Sequence, residues 1–303
     1  MQHLKLTFEN IMQPEILFYD KKMEAACFDI CGHLKIDNMP AINGKNYYEL
    51  HNKQFKKKTI GNVHKLYLDD SVFSPALLKK FRANNHNVLF VFEENVLRGV
   101  VHISDYNRNN VLESVQDDLL AFERKLRQLI LLNGFKNEDM QDFFLQMKNS
   151  AKDKNEKNYY ARKIKSYDYR INEINNFGQF QLFEFSDLMN FAENSFSKVV
   201  HQINDYSING KQKTGKEILR ELRNLVMHGK NPVTKENEKL IYSIRSLQGF
   251  MESLLVLRIE YGAVINKIRQ HPDYLKAIEL ENRSKLDIIH NHHPKALEYF
   301  LEF

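Results

Sequence analysis

Val115, Leu119, Phe122, Leu126, Leu129 and Ile130 recur at steps of three and four residues. A segment so patterned can hide its apolar side only as an amphipathic helix, and Asn133-Gly134 supplies the stop. The helical period persists over most of the chain beyond residue 134. Residues 217–227 (EILRELRNLVM) place Ile218, Leu219, Leu222, Leu225 and Val226 at helical spacing, with Gly229 and Pro232 beyond them as terminators. Residues 235–269 carry a further stripe, Leu240, Ile244, Leu247, Met251, Leu254 and Leu255, which Pro272 interrupts. A stripe that long belongs to a core or a dimer face. Residues 111–303 are therefore expected to form an all-α domain.

Residues 1–110 read differently, as a separate α+β domain. Val88-Leu89-Phe90-Val91-Phe92 is continuously apolar, like a buried strand. Glu93-Glu94-Asn95 signals a turn, and residues 97–103 (LRGVVHI) give a second strand. Ser74-Pro75 opens a helix, with serine at the cap and proline at the first position. The same order occurs about fifty residues earlier, as an internal repeat. Ile16-Leu17-Phe18 stands to Asp20 as Leu66-Tyr67-Leu68 stands to Asp70. Ala26, Cys27 and Phe28 match Ala76, Leu77 and Leu78, and Met39 and Ala41 match Leu89 and Val91. Two copies of a strand-helix-strand-strand unit are predicted, with a cleft between them.

Cys27 and Cys31 are the only cysteines. A C-x3-C spacing in a predicted helix, with no second pair, suits small core residues better than a zinc site or a disulfide. No charged-then-apolar leader opens the sequence and no run approaches ~18 apolar residues. A cytoplasmic location with no membrane partner is expected. The net charge of +5 permits an RNA partner without demanding one. His290, His292 and His293 have no cysteine or carboxylate at ligand spacing, so a surface cluster is expected rather than a metal site.

The run Arg223-Asn224-Leu225-Val226-Met227-His228 is the strongest candidate for chemistry. It sets a planar cation suited to phosphate, an amide, and a histidine able to move a proton near neutral pH within about one and a half helical turns. Arg223 and His228 are about 140° apart around a helix, at about 100° per residue. The plainer alternative is a basic amphipathic helix with a histidine near its end. Glu123 and Arg127 share a face of the first long helix, either as an ion pair or as support for the motif. Residues 148–170 interleave Lys163, Lys165 and other basic residues with Tyr159, Tyr160, Tyr167 and Tyr169. Such a segment suits single-stranded RNA or is a solvated helix with tyrosines in the core. Lys211, Lys213 and Lys216 precede the motif helix and could extend an RNA track.

The R-N-x-x-x-H core of Arg223, Asn224 and His228 resembles the signature of the HEPN superfamily, although Lys230 stands where that motif often has tyrosine. The resemblance implies a metal-independent endoribonuclease of toxin or abortive-infection type. It would be a homodimer that joins two motifs in one site and leaves 2′,3′-cyclic phosphate ends. No cofactor is implied for catalysis; an antitoxin protein is an implied partner. Residues 8–110 resemble a tandem pair of CBS domains. Three segments carry that likeness: Glu9-Asn10-Ile11-Met12, Asn38-Met39-Pro40-Ala41-Ile42 and Gly99-Val100-Val101-His102-Ile103-Ser104-Asp105. Asp105 falls at the family's ribose-binding acid, and His102 replaces its phosphate-binding threonine. The pair then implies a nucleotide ligand that gates the enzyme, or a dimerisation scaffold without one. The alternative function is a non-catalytic nucleotide sensor and RNA- or protein-binding module.

Overall fold

Two short runs of chain, 38–59 and 65–102, organise the N-terminal part. In the computed structural model, which describes residues 6–34, 36–83, 88–177, 180–181, 183–195, 206–236, 241–280 and 282 (the side chains of 171–177 excepted), each run builds its own small sheet. Helix α1 (Phe8–Ile11) buries Phe8 and Ile11 completely, and its Thr7 N–H is capped by Asn10 Oδ1 at 2.9 Å. Helix α2 (Glu24–Leu34) lays Cys27 and Cys31 against Met39. Both thiols are free and buried, as expected of core residues. Burial pushes the Cys31 thiol up to about 11.

Strands β1 (Asn38–Pro40), β2 (Asn46–His51) and β3 (Gln54–Thr59) form an antiparallel sheet in that order. The β2–β3 turn uses Asn52 and Lys53, both at positive φ, as a tight hairpin requires. β3 is an edge strand that carries Lys56, Lys57 and Lys58, and charge there discourages pairing with another chain's edge.

The second sheet is β4 (Lys65–Tyr67), β5 (Val88–Glu93) and β6 (Val96–His102). β4 runs parallel to β5, reached through helix α3 (Ala76–Ala83), and β6 returns antiparallel. The helix opens where Ser74-Pro75 placed it, and the 88–92 run is buried at all but Val88. Gln13 and Val100 exchange backbone hydrogen bonds of 2.8 and 3.1 Å, which adds the chain after α1 to the β6 edge. Gly99 makes that approach possible. A Cβ there would lie 2.6 Å from Met12 Sδ and 2.8 Å from the Gln13 carbonyl oxygen. Gly99→Ala is expected to destabilise the fold by about 1–3 kcal/mol, the usual cost of overpacking, read as a lower denaturant midpoint.

The repeat predicted from sequence is only half realised. The second copy is strand-helix-strand-strand. In the first copy Ile16-Leu17-Phe18 forms no strand; Leu17 and Phe18 are 43% and 38% exposed. The chain there makes one bond to β1, from the Tyr19 N–H to the Pro40 carbonyl at 2.9 Å. With no apolar cover over 16–18, nothing rewards a full strand, and the sheet is completed on its other side by β3.

Helix α4 (Asn109–Leu132) buries all six residues of its predicted stripe, and Gly134 leaves it at φ +82°. Helices α5 (Asn137–Ser150), α6 (Lys154–Phe177) and α7 (Phe185–Ser195) follow. Phe143, Phe180 and Phe191 meet at centroid distances of 5.6 and 5.9 Å, in edge-on and tilted geometries favoured by aromatic rings. The buried Asn137 Oδ1 accepts the Phe180 N–H at 2.7 Å and fixes the connection before α7.

The expectation of an all-α domain is corrected by a hairpin, β7 (Tyr206–Ile208) and β8 (Lys211–Lys213), turned at Asn209-Gly210 with both at positive φ. Helix α8 (Gly215–Met227) and the long helix α9 (Ile244–Gln270) complete the order. α9 starts later than its predicted range of 235–269. Lys235 instead pairs with Tyr242 in an isolated bridge, and the Ser243 N–H reaches the Thr234 carbonyl at 2.8 Å. Leu240 and the His290, His292, His293 cluster lie outside the described residues. No described helix is long and apolar enough to cross a membrane.

Two units emerge from how the chain contacts itself. The first comprises Met1–Asp118, Ser207–Lys211 and Glu221–Leu255; the second comprises Leu119–Tyr206, Gln212–Arg220 and Val256–Phe303.

Candidate functional site

The sequence of α8 fixes both of its ends. Thr214 and Glu217 form a reciprocal cap: the Thr214 N–H donates to Glu217 Oε2 at 2.9 Å, and the Glu217 N–H donates to Thr214 Oγ1 at 3.3 Å. The bond from the Thr214 N–H, with a second from its hydroxyl, holds the Glu217 carboxyl below its ordinary range. At the other end Gly229 takes φ +59°. Its N–H donates to the Val226 carbonyl at 3.1 Å, and the Lys230 N–H donates to the Leu225 carbonyl at 2.9 Å. This pair of bonds is the Schellman closure, in which backbone alone satisfies the last carbonyls.

That closure leaves the His228 side chain without a capping duty. The ring is exposed, one residue past the helix, and has no hydrogen-bond partner among the described residues. Asn224 is exposed one turn earlier, and its carbonyl accepts the His228 N–H at 3.3 Å. Arg223 is half-buried, with its Nε buried and without an acceptor. Ile218, Leu219, Leu222 and Val226 are buried and anchor the helix. Arg223, Asn224 and His228 thus share one helix end that is held rigidly by its backbone.

Glu123 and Arg127 pair with each other, and both are mostly buried. Arg127 also donates from Nε to the Phe180 carbonyl at 3.0 Å and from Nη2 to the Phe183 carbonyl at 3.4 Å. These contacts make it a clamp on the turn before α7.

Asp105 is 7% exposed, and its carboxylate is engaged locally. Oδ2 accepts the His102 N–H at 2.7 Å; Oδ1 accepts Arg108 Nε at 3.1 Å and Gln13 Nε2 at 3.3 Å. The His102 ring meets the Ser104 hydroxyl at 2.6 Å and lies edge-on to Tyr242 at 5.4 Å. Burial lowers its pKa, against a smaller opposing pull from Asp105.

Of the basic residues, Lys163 is engaged by Asp187 at 2.8 Å and Glu184 at 2.9 Å, and Lys216 pairs with Glu193. Burial alone would lower the Lys163 pKa, but its two carboxylates outweigh that and raise it. Lys165 is exposed beside Arg162. Tyr160 and Tyr167 are buried, whereas Tyr169 is 88% exposed.

A polar group that sequence reading missed is Glu260 on α9. It is completely buried, neither carboxyl oxygen has a hydrogen-bond partner among the described residues, and burial pushes its pKa up to about 8. A glutamate within an apolar stretch (VLRIEYGAV) was its only sequence signal. The described residues contain no cluster of histidine, cysteine and carboxylate groups able to hold a metal.

No family model, no curated protein and no solved structure matches this chain.

Proposed function

We propose that this protein is a metal-independent endoribonuclease whose reacting groups are Arg223, Asn224 and His228. The observation that carries the reading is the end of α8, where backbone bonds close the helix and leave the His228 imidazole exposed and unengaged. A ribose 2′-hydroxyl would attack the adjacent phosphorus while a base removes its proton. The P–O5′ bond breaks as an acid protonates the departing 5′-oxygen. His228 supplies one of these proton transfers. Arg223 neutralises charge on the phosphoryl oxygens in the transition state, and Asn224 orients the phosphate.

One exposed motif offers one histidine. A two-fold dimer would bring the second, so that acid and base come from different copies. The resemblance to HEPN ribonucleases supports this arrangement, together with toxicity restrained by an antitoxin or a ligand. The resemblance to CBS pairs supports a sensory role for residues 1–110. A nucleotide ribose would then have to displace Arg108 or Gln13 from Asp105. The engaged Asp105 favours the second reading of that region, a scaffold without ligand.

The test is purified protein incubated with total RNA in EDTA, beside His228→Ala. Wild type is expected to cleave and to leave cyclic-phosphate ends. The variant, still folded because His228 is exposed and makes no side-chain bond, should lose at least about a hundredfold in rate. Cleavage by the variant at the wild-type rate would remove His228 from the chemistry.

A further inference from the structure

Helix α6 separates its polar residues into two faces. At about 100° per residue, Lys154, Asn155, Asn158, Arg162, Lys165 and Tyr169 fall within an arc of about 100°. All six are exposed. Tyr160 and Tyr167 point the other way into the core, and Lys163 is turned toward Asp187. Asn155, Asn158, Ala161, Arg162 and Lys165 line an open groove of about 530 Å³. Among the described residues, Lys154, Arg162 and Lys165 have no carboxylate partner. Asp168, the one exposed acid among the described side chains of α6, is held by Gln141 at 2.8 Å. Asp153 caps the helix start through the Asn155 and Glu156 N–H groups and is occupied there.

From this face we infer a docking track for single-stranded RNA, and the inference rests on the proposed function only in choosing RNA as the nucleic acid. The stripe from Lys154 to Tyr169 is about 22 Å long at about 1.5 Å per residue, which matches about four nucleotides, the short end of known single-strand sites. Three cations on one line suit a phosphodiester backbone. Asn155 and Asn158 offer amide donors and acceptors to phosphates or base edges. Tyr169, an aromatic ring left in water at the end of a basic stripe, offers a face on which a base can stack. Among the described residues the track is one helix face wide, a width that suits a flexible single strand.

Binding is measured by anisotropy of a labelled oligouridylate of about 12 nucleotides, several track lengths long. Every protein carries His228→Ala, so that cleavage does not interfere. Added to that background, Arg162→Gln with Lys165→Gln should weaken binding at least tenfold near 100 mM salt. It should also shrink the slope of log affinity on log salt by about 1.4, since each lost phosphate contact on a single strand removes about 0.7. Tyr169→Ala should weaken binding about tenfold and leave the salt slope unchanged. Lys57→Gln, on the exposed β3 edge, should change neither. Unaltered affinity in the α6 variants, an equal loss in the Lys57 variant, or no RNA binding at all would overturn the inference. Equal binding of a matched duplex would overturn its single-strand specificity. Loss of binding in the α6 variants, alongside a wild type that never cleaves, would sustain the track and overturn the nuclease reading. Unchanged RNA affinity in the α6 variants, alongside a wild type that cleaves, would do the reverse.

Discussion

Arg223→Lys is expected to lower single-turnover RNA cleavage by about a hundredfold, comparable to losing one preorganised charge-stabilising donor. Lysine keeps the positive charge but offers a point instead of a planar fork, and a phosphoryl group in flight presents two oxygens to that fork. RNA affinity should change little, because attraction to the phosphate depends on charge. Stability should also hold. Arg223 Nε makes no hydrogen bond, so the substitution removes no structural contact through that atom. Arg127 is the instructive contrast, being tied to Glu123 and to two carbonyls. Its replacement should register in the melting curve first. An Arg223→Lys enzyme that cleaves at the wild-type rate would leave Arg223 as a surface cation and nothing more.

Glu260→Gln is expected to make the protein markedly more stable at pH 8 and only slightly more stable at pH 5. The Glu260 carboxyl is completely buried, without a partner among the described residues, and burial raises its pKa from an ordinary 4.5 to about 8. Below about pH 4.5 both folded and unfolded chains hold the proton, and the group is neutral in its effect. As pH rises from there toward 8, the unfolded chain releases the proton while the folded chain must keep it. Stability is therefore lost across this window, and the loss levels off once the pH passes the folded value. Each pH unit is worth about 1.4 kcal/mol, so the loss by pH 8 is on the order of 3–5 kcal/mol. Glutamine keeps the shape without the titration. Denaturant unfolding of both proteins at pH 5, 6.5 and 8 would check this. Parallel pH profiles for glutamate and glutamine would show that Glu260 keeps its proton no more firmly in the fold than out of it. Tyr206, pushed up to about 12 chiefly by its own burial and further by the Glu260 charge, contributes no titration in that range.

Local chemistry made part of the fold legible in advance. The α4 stripe, the Ser74-Pro75 start of α3, the apolar 88–92 strand and the Gly229 stop all follow from period, cap and turn preferences that act within one element. The T-x-x-E cap of α8, at Thr214 and Glu217, is a signal of the same local kind. The first-copy strand at 16–18 was unreadable because strand formation depends on what covers it, and the repeat offered an alignment without that cover. The β7–β8 hairpin was carried by Asn209-Gly210, a strong turn signal set between runs too short and polar to look like strands.

The site was legible in part for the same reason. Arg223, Asn224 and His228 sit within one helix end, so sequence spacing alone places them together. The duties of Lys163 and Arg127 are set largely by partners on other segments, Asp187 and the Phe180 carbonyl. No spacing rule reaches those. Tyr160, Tyr167 and Tyr169 looked alike in the sequence, and only packing sorted two into the core and one into solvent.

The piecewise make-up of the two units sets a timetable for synthesis. The first unit needs residues up to Leu255 as well as those before Asp118. A ribosome adding about 5–20 residues per second imposes a delay on the order of ten seconds between those segments. During that interval the β1–β3 and β4–β6 sheets can form from neighbouring residues, but the last pieces of their unit have not emerged. The nascent protein thus passes through a half-built stage in which chaperone holding and premature strand pairing compete, and the lysine-guarded edge of β3 is already in place to slow the second.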